Sequence, residues 1–222
     1  MSLRDKNFVP GEYYHIYNRG NGKNNIFLDK DDYERFIKLL YICNSNLNFK
    51  FNHSVVEQNI DAFDLYRETP IIEILSWVVL PNHFHLIVTF KGSNFLKENY
   101  NPISEFMRKL STAYVMYFNK KYKRTGSLFE GKFKSKYIDK ENYFQYLFSY
   151  IHLNPIKLIQ PNWKEEGIKN KKIAHNFLIN YKYSSAIDFM GIKRKEGKII
   201  SKNSIPGYIF TGLTCEMSKN VL

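Results

Sequence analysis

The chain has 222 residues, 44% of them hydrophobic, enough for a real core and against wholesale disorder. Lys and Arg number 33 against 21 Asp and Glu, a formal net charge of +12. That balance points to a polyanion, either nucleic acid or an anionic membrane surface. The 17 Tyr and 18 Phe suit single-stranded nucleic acid, where bases stack on rings, although an AT-rich genome produces the same residue usage. Two cysteines, Cys43 and Cys215, exclude a disulfide framework and a cysteine-rich zinc site, and a reducing cytoplasm is the expected compartment. Residues 1–6 lack an apolar signal core, and no apolar run approaches the ~20 residues of a membrane span. An integral membrane protein and a secreted one are therefore not expected.

Residues 12–18 are aromatic and β-branched and end at Arg19-Gly20-Asn21-Gly22, a strand running into a loop. Asp29 or Asp31 can cap a helix whose Phe36, Leu39, Leu40 and Cys43 follow helical spacing. Residues 44–70 are polar and irregular and read as an insertion or long loop. Residues 71–79 and 83–90 read as two strands joined by a Pro81-Asn82 turn, an antiparallel hairpin. Pro102 opens a second helix, with Phe106, Leu110, Ala113 and Tyr117 on its apolar stripe, to about Lys120. Residues 128–138 alternate as a strand. Asp139 is positioned to cap a helix from Glu141 to Asn154, stopped by Pro155. The order is that of the split βαβ, ferredoxin-like or RRM-like antiparallel sheet, with helices on one face and an added C-terminal helix. Residues 156–222 are more polar, and 191–222 read as a flexible tail or a small accessory segment.

Three groups of residues could carry chemistry. In the strand Trp77-Val-Val-Leu-Pro-Asn-His83-Phe-His85-Leu-Ile-Val, His83 and His85 share a face, about 7 Å apart at ~3.3 Å per residue. Two imidazoles are half of a divalent-metal site, so the pair alone leaves a metal site and two edge-strand surface histidines both open. In Tyr143-Phe-Gln-Tyr-Leu-Phe-Ser-Tyr150-Ile-His152-Leu-Asn154-Pro155, Tyr150 and Asn154 are four apart on one helix face. Asn154 could offer an amide oxygen and Tyr150 a phenol beside it; core packing of an aromatic helix is the competing reading. Residues 108–140 hold ten basic residues and two acidic ones, interleaved with aromatics, and are expected to form one phosphate-binding patch.

Together these residues resemble a known family, the single-tyrosine HUH transposases, in the branch of REP-associated tyrosine transposases. The resemblance is carried by His15-Ile-Tyr-Asn-Arg-Gly, by the His83-Phe-His85 strand, by Gly126-Ser-Leu-Phe-Glu-Gly-Lys-Phe-Lys-Ser, by Tyr150-Ile-His-Leu-Asn-Pro-Ile-Lys and by Tyr183-Ser-Ser, and it spans roughly residues 10–190. It implies a catalytic domain over residues 8–155, with residues 156–222 as an extension that is family-like to about 190. It implies His83, His85 and Asn154 as ligands of one Mg²⁺ or Mn²⁺, and Tyr150 as nucleophile. The activity implied is cleavage and strand transfer of single-stranded DNA at hairpin-flanked sites through a 5′-phosphotyrosine, by a homodimer or a monomer. Arg19, Arg108, Lys120, Lys121, Lys123, Arg124, Lys132, Lys134 and Lys136 are the expected DNA contacts. Lys132 stands where the family often has Arg, which keeps the charge but not the bidentate fork. Residues 44–70 are longer than the family core needs. A non-catalytic nucleic-acid-binding module on the same scaffold and an HUH nickase of another type are the alternatives.

Overall fold

The computed structural model describes residues 8–92 and 101–209. The remaining positions, which include Cys215 and the end of the expected C-terminal tail, lie outside the described residues. Four strands, β1 (Tyr13–Arg19), β2 (Glu73–Leu80), β3 (His83–Thr89) and β4 (Lys134–Ile138), form one antiparallel sheet in the order β2-β3-β1-β4. Strands β1 and β2 run parallel with β3 between them, the split βαβ arrangement that the element order predicts.

Helix α1 (Lys30–Ile42) begins at Asp29, whose carboxylate accepts from the Asp32 backbone N–H while Asp32 accepts from that of Asp29, a reciprocal capping box. Its apolar stripe buries Phe36, Leu39 and Leu40, and Cys43 follows at the cap, as the spacing predicts. Helix α2 (Pro102–Lys121) starts with Pro102 after the capping Asn101. Its buried positions are Pro102, Ile103, Phe106, Met107, Leu110, Tyr114 and Phe118, and the expected Ala113 and Tyr117 lie half-buried against the same core. The Tyr117 hydroxyl at the rim donates to Asp32, at 3.0 Å. Helices α1 and α2 cover one face of the sheet, Phe36 meeting Phe84 and Tyr114.

Helix α3 (Glu141–Leu153) lies on the opposite face, where Phe144 packs edge-on against Tyr13. The cap is Lys140 without a side-chain bond, not Asp139. Strand β4 is shorter than the expected 128–138. Phe129 still bridges Gly20 and Glu130 N–H donates to the Arg19 carbonyl, but Gly131, at φ +71°, ends regular pairing there. Residues 44–70, expected as an irregular insertion, hold a short π-helix (Asn52–Glu57) and a 3-10 turn (Ala62–Asp64) and are packed: Val55, Ala62 and Phe63 are buried, and Asn44 exchanges two hydrogen bonds with the Ile72 backbone.

After α3 come short helices α4 (Trp163–Glu166), α5 (Lys171–Asn180) and α6 (Ala186–Phe189). Residues 191–209 are no loose tail: Ile199, Ile200, Ile205 and Ile209 join the main core. The chain also closes the outer edge of β2. Ser184 bridges Val78, Ile200 bridges Ile74, and Ser201 N–H donates to the Ile74 carbonyl. Covering that edge removes a row of unpaired backbone groups. Among the described residues no helix is long and apolar enough to cross a membrane.

Candidate active site

Strand alternation puts His83 and His85 on the α3 face of the sheet, and Phe84, Leu86 and Val88 into the core beneath α1 and α2. The two rings stand nearly perpendicular with centroids 5.0 Å apart. Each has one nitrogen engaged. The Asn82 side-chain Nδ2 donates to the Lys23 carbonyl, which turns its Oδ1 to His83 Nδ1 at 2.5 Å. An amide oxygen only accepts, so His83 carries its proton on Nδ1 and presents a lone pair on Nε2. The turn is held from below by Gly20, whose N–H donates to the Asn82 carbonyl. A Cβ at Gly20 would lie 2.1 Å from the Asn24 carbonyl oxygen, so only glycine fits there.

A third histidine joins them. His15 of β1 sits on the same face, its Nε2 2.9 Å from His85 Nδ1 and its ring stacked on His85. With the proton on His85 Nδ1, the His85 Nε2 lone pair is also free, the arrangement by which a ligating histidine is oriented from behind. Burial pushes the His15 and His83 imidazoles down to about 4, helped by Lys136 at His15 and by Lys157 and Arg19 at His83. Burial, then the neighbouring imidazoles, then Lys164 hold His85 well below the usual histidine range. All three are thus neutral at pH 7, the state in which imidazole donates to a metal or a proton.

Tyr150 approaches from α3, its ring edge-on to His85 with centroids 5.9 Å apart. Tyr146, one turn earlier, lies parallel to it at 6.2 Å, Trp163 of α4 lies parallel at 6.4 Å, and Lys164 Nζ stands 3.9 Å from its ring centroid. Asn154 opens the 3-10 turn (Asn154–Leu158) after α3; it is 2% exposed, and its Nδ2 has no hydrogen-bond partner. The fold itself therefore leaves that amide nitrogen unused. Lys157, in the same turn, acts on His83 electrostatically. Among the described residues no three His, Cys, Asp or Glu side chains form a metal-holding group.

The helix that carries Tyr150 is bolted to the sheet edge by His152, which the resemblance includes without a role. Fully buried, it bonds Ser185 Oγ at 2.8 Å, and Ser185 in turn bonds the backbone of Trp77 in β2. The Tyr-Ile-His-Leu-Asn-Pro and Tyr-Ser-Ser segments thus meet as a structural joint.

The basic residues expected as one patch divide among several places. Lys134 and Lys136 share the histidine face of the sheet, Lys136 over the Tyr143 ring at 4.3 Å. Arg19 lies there too, in a two-point ion pair with Glu130. Lys121 is consumed by the fold: it bonds Asp29, buried Asp32 and Tyr117 between α1 and α2. Arg108 is held by Glu105, three turns and more up α2 from Lys120 and Lys121, in the layer on the other side of the sheet. Lys123, Arg124 and Lys132 are exposed in the loop between α2 and β4, Arg124 over the Phe118 ring. Sequence reading gave His15, Lys157, Trp163 and Lys164 no role at the site, although His15 and Lys157 both stand within the motifs that carry the resemblance; Trp163 and Lys164 left no signal.

No protein-family model matches the chain, and no curated protein matches it. Among solved structures the chain is similar to a REP-associated tyrosine transposase bound to a REP hairpin, with a TM-score of 0.51 and 15% identity over 88% of this chain and 90% of that one. Two structures of a bacterial tRNA(His) guanylyltransferase-like protein, with GTP and with ATP, match at TM-scores of 0.37 and 0.36. Their identities are 11% and 12%, over 76% and 82% of this chain and 73% and 72% of those. At that level the likeness carries no argument. The chain therefore shares its fold with a REP-associated tyrosine transposase.

Proposed function

We propose that the protein belongs with the REP-associated tyrosine transposases and transfers strands of single-stranded DNA, with Tyr150 as nucleophile. The observation that carries this reading is the meeting of Tyr150 with His85, on the sheet face where His83 and His85 each have one nitrogen tied and Nε2 left for a ligand. His83, His85 and the Asn154 side-chain oxygen would hold one Mg²⁺ or Mn²⁺, while the buried, unpartnered Asn154 Nδ2 is a donor that suits a phosphate oxygen brought from outside the fold. When bound, the cation would offset charge on a phosphodiester oxygen.

The residues of the chain do the rest. The phenolic oxygen of Tyr150 loses its proton to solvent and attacks phosphorus, and the bond from phosphorus to the 3′-oxygen breaks. The leaving oxygen takes up a proton, giving a 5′-phosphotyrosine and a free 3′-hydroxyl. Attack by another 3′-hydroxyl reverses the step and restores the phenol, so one ester replaces another without an external energy source. Lys134, Lys136 and Lys157 would pair with flanking phosphates. The neighbour's hairpin extends to this chain as the expected partner: single-stranded DNA beside a stem.

A non-catalytic module of the RNA-binding kind reads bases on an open sheet face. Here α3 occupies that face, Phe144 on Tyr13 and Tyr150 at His85, which disfavours that reading. The test is incubation of labelled hairpin-flanked single-stranded DNA with the protein and Mn²⁺. A detergent-resistant adduct is expected with the native chain and none with Tyr150→Phe. An adduct that survives in that variant, or one mapped to Tyr143 or Tyr114, overturns the assignment, and cleavage at full rate in excess chelator overturns the metal.

A further inference from the structure

The mechanism uses one ring of a longer aromatic array. Tyr146 and Tyr150 are parallel to within 7°, and Tyr150 and Trp163 to within 18°. Tyr146 is 56% exposed although it stacks on Tyr150, so most of the ring faces water. Core packing does not explain so large an exposed aromatic: the neighbours of Tyr146 on α3 that serve the core are Phe144, Leu147 and Phe148. Beside the array stands a cation. Lys164 Nζ is 3.9 Å from the Tyr150 ring centroid, and Lys157 lies exposed on the turn that follows α3. An exposed ring at the end of a parallel array, with an ammonium group beside it, matches the two halves of a nucleotide, a flat base and a charged phosphate.

We propose that Tyr146, Trp163 and Lys164 form a seat for a nucleotide that flanks the scissile phosphate, its base stacked on Tyr146 and its phosphate at Lys164. The seat rests on the single-stranded DNA reading, and it adds the step of holding the strand in register with Tyr150. Stacking needs a π-face and no particular hydrogen-bond pattern, so the seat accepts any base. Sequence choice must then come from elsewhere, such as the hairpin stem.

Fluorescence provides the test without chemistry. The chain has two tryptophans; Trp77 is fully buried in β2 and Trp163 borders the seat, so quenching by a bound base reports on Trp163. The protein used is Tyr150→Phe, which keeps the ring and cannot form an adduct, and the probe is a short oligothymidylate. Saturable quenching is expected, with binding about tenfold weaker in Tyr146→Ala and unchanged in Tyr146→Phe, from a stacking contribution of ~1–3 kcal/mol per base. Lys164→Gln should weaken binding and flatten its salt dependence. Unchanged affinity in Tyr146→Ala, or quenching that survives Trp163→Phe, overturns the seat even if Tyr150 forms its adduct. Quenching that depends on Tyr146 supports the seat even if no adduct ever forms, in which case the chemistry and not the seat has failed.

Discussion

Replacing His152 with leucine should make the fold less sensitive to acid. His152 is fully buried, and burial pushes its imidazole from 6.5 down to about 3. The folded state thus holds it neutral while the unfolded chain lets it charge. A depressed basic pKa contributes stability that is fully present above about 6.5 and is lost as the pH falls towards 3. At about pH 5 the unfolded state is almost fully protonated at this group and the folded state almost not at all, which removes about 2 kcal/mol relative to neutral pH. Leucine has no such term. It also strands no partner, because Ser185 Oγ keeps its bonds to the Trp77 N–H and carbonyl. Urea unfolding of both proteins at about pH 7.5 and about pH 5 isolates the effect, since His15, His83 and His85 titrate in both and cancel in the difference. The native chain should lose about 2 kcal/mol more than His152→Leu between the two conditions. Equal losses would refute the neutral buried histidine, and with it the joint that fixes α3, and so Tyr150, against β2.

His15→Ala removes the ring that orients His85, and should weaken Mn²⁺ binding by about 10–100-fold while leaving Tyr150 in place, as read by calorimetry of the metal alone. Asn154→Leu should abolish adduct formation yet change stability by less than ~1.5 kcal/mol in urea, since the native amide nitrogen bonds nothing in the fold. Replacing Lys134 and Lys136 together with Gln should lower the salt slope of single-strand binding by about 0.7 for each phosphate no longer neutralised, whereas Arg108→Gln, already paired with Glu105 on the far side of the sheet, should leave the slope unchanged. Equal effects from the two sets would favour the undivided patch.

The sequence determined much of this protein because its strongest signals are local. Alternation in residues 83–89 is a backbone property, so His83 and His85 share a face in any pairing of that strand. The Asp29 cap, Pro102 at a helix start and the two-residue Pro81-Asn82 turn act within four residues of themselves. Element order then confines the sheet to few topologies. Tertiary structure decided what depends on partners distant in sequence. His15 becomes a neighbour of His85 only through the β1–β3 register, 70 positions apart. Lys121 looked like its basic neighbours until the buried Asp32 carboxylate, 89 positions away, claimed its charge. Residues 183–185 and 200–201 reveal their place only once β2 offers an unpaired edge. Composition records how many charges and rings a chain carries; which of them the fold consumes and which it leaves facing solvent is settled by packing, because a buried carboxylate or an open strand edge must find its partner wherever the chain brings one.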